Sequence, residues 1–413
     1  MSSSLMNRLK ALGVSVGTSD LPIPAPVTQP GTDLAAILGG ETLETIYGPV
    51  IRIIKTYPCG FQHGDLACYE PHTHEIFKQW GNLPDGDQPE RFLFLDTETS
   101  GLSSGTGNFA FLVGMGYFKD HEFRLFQYFL ESPANENAML AALIQDAAGT
   151  DTFVTYNGKS FDIPLLRARF ILNRMENILD QYSHADLLHI TRKIYKFFLP
   201  ERNLGVVEKE ILHFQRDELE VPGWMVPEIY AEFLQNHDPE PIKRVLYHNQ
   251  IDILSLAALY QHINHLLQSI TDHPNQDMPP AVLLALVRLY IEHHALETAS
   301  TLFSSYPVSE TEHAEYAKTA YLLGIAYKQA HALEVALPYW ETAGMHHDIN
   351  ALVELAKYYE HQCNDYQTAL HYTEKALKIR ESSYSENKTL LSELEKRQSR
   401  LQRLITESAQ AGS

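Results

Sequence analysis

Asp96 and Glu98 stand two residues apart at the end of the apolar run FLFLDTE. On a strand, that spacing sends both side chains to one face. Two like charges buried side by side are costly unless a cation neutralises them, so the pair calls for a divalent metal. Hard oxygen ligands select Mg²⁺ or Mn²⁺ over zinc. A third acid, Asp162, follows the Asn157-Gly158 turn in TYNGKSFDIPLL and opens a helical pattern. A carboxylate at a helix N-terminus is favoured by the dipole. A fourth, Asp252, lies in YHNQIDILSL inside a long helical stretch, with His248 four residues before it and Tyr247 five before it. At 100° per residue, i−4 sits about 40° from Asp252 around the helix and i−5 about 140° away. His248 therefore shares the face of the acid and Tyr247 does not. Taken singly, Asp162 reads as a helix cap and Asp252 as a solvated helix residue; the order of the three pieces along the chain makes them a site.

The elements that must position these residues are legible. PVIRIIKTYP, RFLFLDTE, FAFLVGMGYF, FRLFQYFL and DTFVTYN are short runs rich in β-branched and aromatic residues and predict strands. NENAMLAALIQDAAG predicts a helix, followed by FDIPLLRARFILNR, HADLLHITRKIYKFF, NLGVVEKEILHF and PEIYAEFLQN. DPEPIKRVLYHNQIDILSLAALYQHINHLL follows, with Asp238 as N-cap and Pro239 in its first turn. Hairpin-like strands, then a strand and helices, imply an α/β layer with a mixed sheet. Phe161 and Pro164 are expected to wedge against that sheet.

The three acidic pieces resemble the motifs of the DEDD, or DnaQ-like, superfamily of 3′-to-5′ exonucleases, which have the ribonuclease H-like fold. FLDTETSGL, FLVGMGYF, TYNGKSFDIPLL, ADLLHITRKIY, LPERNLGVVEKEIL and EVPGWMVPEIYAEFL are similar to the YprB-type ribonuclease H-like family, over residues 46–268. The resemblance implies a mixed central sheet flanked by helices. It also implies that Asp96, Glu98, Asp162 and Asp252 hold two Mg²⁺ or Mn²⁺ ions, with Asp96 bridging, for two-metal phosphodiester hydrolysis. The superfamily places a Tyr four residues, or a His five residues, before the last acid. Here that order is swapped, and the helical geometry assigns the water-orienting role to His248, with Tyr247 as the alternative. An imidazole with an ordinary pKa near 6.5 suits a base at neutral pH. Thr97, Asn157, Phe161, Arg167, Arg192 and Lys193 are candidate substrate contacts. Arg169, Arg174, Lys196 and Arg202 extend the basic surface, and Tyr195, Phe197 and Phe198 are candidate base-stacking groups.

After HPNQDMPP the chain becomes almost wholly helical and repeats itself. Leu323, Gly324, Tyr327, Ala336, Trp340 and Ala343 recur as Leu355, Ala356, Tyr359, Ala369, Thr373 and Ala376, with a degenerate earlier copy at Leu286, Val287, Tyr290, Ala299 and Phe303. Small residues at helix crossings with aromatics between them describe stacked helix pairs. The pattern resembles the tetratricopeptide repeat over residues 275–380, which implies a protein-partner surface. Residues 381–413 predict a capping helix or tail. Residues 1–45 predict a leader, with a short helix from Leu5 to Leu12 and the Pro-rich connector LPIPAPVTQPG.

Composition sets the outer limits. The 413 residues carry 32 Lys+Arg against 52 Asp+Glu, a formal charge of −20. No whole-protein positive field draws such a chain onto nucleic acid, so a local basic patch or bound metal must supply the attraction. Three cysteines are too few for a disulfide framework. The Cys and His residues of CGFQHGDLACYEPHTHE fit no standard zinc spacing and read as incidental to a hairpin. No apolar run reaches the ~20 residues that span a bilayer, and the start lacks a signal-peptide core, so a cytoplasmic protein without membrane association is expected. The leading expectation is a metal-dependent nuclease acting on DNA or RNA as a 3′-to-5′ exonuclease. Its rivals are an interaction scaffold with an inactive ribonuclease H-like domain and a structure-selective endonuclease on the same fold.

Overall fold

The computed structural model describes residues 33–69, 72–84, 91–101, 107–217, 220–272, 278–306, 313–382 and 388–411. The expected Leu5–Leu12 helix lies outside them. A short helix α1 (Leu34–Ile37) is capped by Asp33 and leads into strand β1 (Glu41–Thr45). This strand falls inside the segment expected to be leader; it pairs antiparallel with β2 (Gly48–Pro58), so the sheet begins earlier than the apolar patterning indicates. Its sequence, ETLET, carries a single apolar residue and sits at the sheet edge, where one face and one flank meet solvent.

Seven strands form the central sheet in the order β1-β2-β7-β6-β5-β8-β9, with β5 (Phe92–Thr99), β6 (Ala110–Lys119), β7 (Glu122–Phe129), β8 (Thr152–Thr155) and β9 (Ser183–Asp186). The β2, β7, β6 and β5 neighbours are antiparallel, whereas β5-β8 and β8-β9 are parallel. A small hairpin, β3 (Phe61–His63) with β4 (Leu66–Cys68), lies beside the sheet and precedes α2 (Glu75–Gly81). Alternation on β5 divides two cores. Leu93 and Leu95 pack with residues of α3 (Glu136–Asp146), α4 (Asp162–Leu172) and α7 (Val226–Asn236). Phe92 and Phe94 face the other way, with α5 (Leu187–Tyr195), Val207 of α6 (Leu204–Glu210) and much of the 33-residue helix α8 (Glu240–Asp272). Asp96 and Glu98 continue the Phe92/Phe94 face toward α8.

Among the described residues seven helices follow: α9 (Pro280–Glu292), α10 (Leu296–Ser304), α11 (His313–Gln329), α12 (Leu333–Met345), α13 (Ile349–His361), α14 (Tyr366–Ser382) and α15 (Lys388–Ala411). Successive helices pack on one another, and α9 also packs on α5. With α8 they make a helical run joined to an α/β layer, as the fold class expected from the sequence requires. Gly324 on α11 lets Trp340 of α12 approach so closely that a Cβ there would meet the indole at 2.4 Å. One apolar cluster extends from Phe61 and Phe94 through Tyr260 and Leu286 to Trp340 and Leu394, so the helical region and the lower face of the sheet share a core.

Candidate active site

Glu98 and Asp252 are 9% and 8% exposed, and His248 lies between them. Its Nε2 is 3.5 Å from Glu98 Oε1 and 3.5 Å from Asp252 Oδ2. One ligand atom from each of these three residues falls within 4.8 Å of the others, and they form the one such group among the described residues. Cys59, Cys68, His63 and His74 of the hairpin region form none; His74 instead caps α2 through its ring, accepting from Ile76 N–H.

Asp96 and Asp162 flank this group, each held by its own donor. Asn249, fully buried one residue after His248, donates from Nδ2 to Asp96 Oδ2 at 2.8 Å. Asn249 Oδ1 in turn accepts from Gln127 Nε2 at 2.9 Å. Gly114 on β6 makes room for this amide, since a Cβ there would lie 2.2 Å from Asn249 Oδ1. Thr97 Oγ1 donates to Asp162 Oδ1. The turn before Asp162 is fixed from below: Asn157, at φ +68°, donates its N–H to Asp186 Oδ1 at 2.7 Å, and Lys159 N–H donates to Asp186 Oδ2 at 3.1 Å. Asp186 ends β9 and is fully buried.

Burial and shared charge set the protonation of the acids. Burial, then the fields of Asp252, Glu98 and Asp162, push the Asp96 carboxyl well above its ordinary range. Burial raises Glu98 to about 8 against the opposing charge of His248, with Asp252 and Asp162 adding to the rise. Burial raises Asp162 to about 6, although the Thr97 bond opposes it. Asp96 and Glu98 both feel the charges of Asp162 and Asp252, so the four crowd a common region. Clustered hard-oxygen carboxylates with one imidazole fit a divalent cation, whose charge would return them to the ionised state.

A cation of the chain's own also reaches the site. Arg216 binds Glu208 through Nε to Oε2 and Nη2 to Oε1, both at 2.7 Å, binds Glu220 Oε1 at 2.8 Å, and donates to Asp252 Oδ1. Burial opposes its charge, but the Glu208 bonds and the fields of Asp252, Glu208 and Glu220 hold it firmly protonated. Glu208, 1% exposed, also accepts from Ser255 Oγ at 2.6 Å, and Ser255 pairs with His63 Nε2 at 2.8 Å. Burial, with the charge of Arg216 adding to it, lowers His63 to about 4, so its ring is neutral. His63, set aside as incidental on sequence, is thus the far end of a chain leading to Asp252. Glu220 Oε1 also bonds His248 Nδ1 at 2.6 Å. Burial opposes a charge on His248, but the Glu220 bond and the fields of Asp252 and Glu98 raise it to about 9.

Other candidates divide. Tyr247 turns away from the acids, and its hydroxyl accepts from Asp217 N–H at 3.4 Å. Phe161 does not wedge against the sheet: it is 53% exposed beside Asp162, because α4 buries Ile163, Leu166 and Phe170 instead. Pro164 is likewise exposed. Arg192 is exposed and shares a groove with Tyr156, Asn157, Leu188, Arg202 and Asn203. Lys193 pairs with Glu292 of α9, and Arg167 pairs with Asp180. Arg169 is engaged by Glu136 at 2.6 Å, and Tyr195 is buried against His262; Phe197 and Phe198 are exposed. Sequence reasoning missed Asn249, Glu208, Arg216 and Glu220. Only Asn249 carried a usable signal: i−3 lies about 60° from Asp252 around a helix, on the same face.

A family model of the RNase_H superfamily matches residues 93–264, the span that holds all four acids. The chain is also 31% identical over 341 residues to the uncharacterized protein YprB of Bacillus subtilis (strain 168), covering 79% of this chain and 80% of that protein. The chain belongs to the YprB family. Its ribonuclease H-superfamily region carries the site, and the likeness to YprB extends well beyond that region. Among solved structures, the family B DNA polymerase from Pyrobaculum calidifontis matches with a TM-score of 0.35 and 14% identity, over 73% of this chain and 36% of the polymerase. No helix among the described residues is long and apolar enough to cross a membrane.

Proposed function

We propose that this YprB-family chain is a divalent-metal-dependent nuclease that hydrolyses phosphodiester bonds of DNA or RNA, removing nucleotides from 3′ ends. The observation that carries the reading is local charge. Six carboxylates, those of Asp96, Glu98, Asp162, Glu208, Glu220 and Asp252, gather near the first half of α8. Against them stand Arg216 and, when protonated, His248, so ionising all six would leave four negative charges uncompensated, and burial and mutual repulsion hold Asp96 and Glu98 protonated until a cation arrives. Asp96, Glu98, Asp162 and Asp252 are the residues that would hold Mg²⁺ or Mn²⁺. When bound, a divalent ion lowers the pKa of water and offsets charge on the phosphate. The chain's own part is to fix the acids: Asn249 steadies Asp96, Thr97 steadies Asp162 and Arg216 steadies Asp252. Exposed Phe161 offers a stacking surface for a terminal base, and Arg192 offers a phosphate contact beside Asn157. In the same proposal the helices after α8 present a surface for a protein partner.

The test is degradation of 5′-labelled single- and double-stranded DNA and RNA with Mn²⁺. Stepwise shortening from the 3′ end, abolished by EDTA and by Asp96→Ala, is the expected result. Internal cuts at junctions would replace it with the structure-selective endonuclease. No turnover on any substrate would leave the scaffold.

A further inference from the structure

The imidazole of His248 has two opposite faces with different duties. Two groups meet Nδ1: Glu220 Oε1 at 2.6 Å, which can only accept, and Arg216 Nη1 at 3.2 Å, which can only donate; the much shorter carboxylate contact assigns the proton to Nδ1. In the neutral ring, Nε2 then keeps its lone pair, equally distant from Glu98 Oε1 and Asp252 Oδ2. At 3.5 Å from each, Nε2 is too far to give either oxygen a normal hydrogen bond. That spacing is short enough for one ion to be shared by the nitrogen and both oxygens.

The ring is also held as a ligand would be held. Glu220 is fixed by Arg216 at 2.8 Å, and Arg216 is fixed by both oxygens of buried Glu208 at 2.7 Å. A carboxylate bonded to the second nitrogen of a metal-binding histidine fixes its tautomer and raises its basicity. On α8, His248 and Asp252 are an i, i+4 pair, so one helix face presents both donors without backbone adjustment.

We infer that His248 Nε2 is a metal ligand, completing with Glu98 and Asp252 a one-nitrogen, two-carboxylate site, rather than the group that takes a proton from water. The inference rests on the metal-dependent reading above and deepens it. It also changes the metal. An imidazole in the donor set shifts preference from Mg²⁺ toward Mn²⁺, Co²⁺ and Zn²⁺. Water activation then falls to the ion and its surroundings, and the swap of Tyr247 and His248 relative to the superfamily pattern becomes the exchange of a base for a ligand.

Calorimetric titration with Co²⁺, Mn²⁺ and Mg²⁺ tests this on the full chain. His248→Gln is expected to weaken Co²⁺ and Mn²⁺ binding by about 10–100-fold while changing Mg²⁺ affinity much less, and Glu220→Gln is expected to weaken Co²⁺ in the same direction. The unaltered protein supplies a readout independent of any variant's folding. Proton NMR of the Co²⁺-loaded chain should contain a contact-shifted, exchangeable imidazole N–H, the Nδ1 proton held by Glu220. Unchanged Co²⁺ affinity in His248→Gln, or no such resonance in the loaded wild type, overturns the ligand role. If the wild type binds none of the three ions more tightly than Asp96→Asn does, the metal-dependent reading itself fails, and the ligand role falls with it.

Discussion

The side-chain amide of Asn249 reaches from α8 to Asp96 on β5, donating from Nδ2 to Oδ2 over 2.8 Å. The bond crosses from helix to strand at the point where the sheet delivers its first acid. It exists because Gly114, on the neighbouring strand, has no Cβ to occupy the space. Gly114→Ala is therefore expected to displace Asn249, destabilise the fold by about 1–3 kcal/mol through overpacking, and weaken Mn²⁺ binding. Denaturant unfolding and metal titration check it; wild-type values for both would mean that the amide relocates without consequence.

Arg216 is the second point of leverage. Arg216→Met leaves Glu208 buried without its cation, and breaking such a pair by removing one partner costs about 3–5 kcal/mol. The double variant Glu208→Leu with Arg216→Met removes both charges and should recover much of that loss. Arg216→Lys keeps the charge but not the fork that meets both Glu208 oxygens, and should fall between. Equal stability of the single and double variants would contradict the coupling.

The acids and His248 give the metal-free protein a pH dependence with a definite sign. His248 is raised from 6.5 to about 9, so the stability it contributes is full below 6.5 and is lost as pH rises through 9. Glu98 is raised from 4.5 to about 8, so the fold disfavours its charged form and stability also falls as pH rises through that window. The two interact and titrate together rather than independently. In EDTA, the melting temperature should drop between about pH 6 and pH 9, and the stabilisation by Mn²⁺ should grow over the same range. A flat or rising metal-free profile would show that these groups do not carry the site's charge balance.

Tyr247→Phe removes a hydroxyl whose bond, from Asp217 N–H, is long at 3.4 Å and points away from the acids. Turnover should stay within about twofold of wild type, since a lost acid/base group would cost ~10²–10⁴. A loss of that larger size would make Tyr247 the proton acceptor.

Gly324→Leu drives a side chain into Trp340, which is 1% exposed and has no room to yield. The helical region should be destabilised by about 1–3 kcal/mol. Because one apolar cluster joins those helices to the lower face of the sheet, the Mn²⁺-responsive transition should shift with it. A melt in which the metal-responsive transition stays in place would show that the two regions unfold separately.

The sequence alone determined the strands and long helices, because alternation and helical periodicity are local. FLFLDTE alternates faces whatever surrounds it, and α8 runs unbroken from Glu240 to Asp272 because its one proline, Pro241, sits in the first turn and no glycine follows. The same local geometry put His248 on the Asp252 face and turned Tyr247 away. Edge strand β1 and the strand at Ser183–Asp186 were not legible, since ETLET has little apolar signal and SHAD is short and leads straight into α5. The long-range partners were invisible for a different reason. Glu208, Arg216 and Glu220 lie on α6 and the loop after it, and nothing in their spacing says that a salt-bridge network will close onto Asp252 and His248. That closure depends on where α6 and its loop pack against α8, because hydrogen-bond geometry is satisfied within a few tenths of an ångström and only tertiary packing fixes positions that finely. The same packing made His63 the end of a buried relay, stood Phe161 in solvent instead of against the sheet, and engaged Lys193 with Glu292.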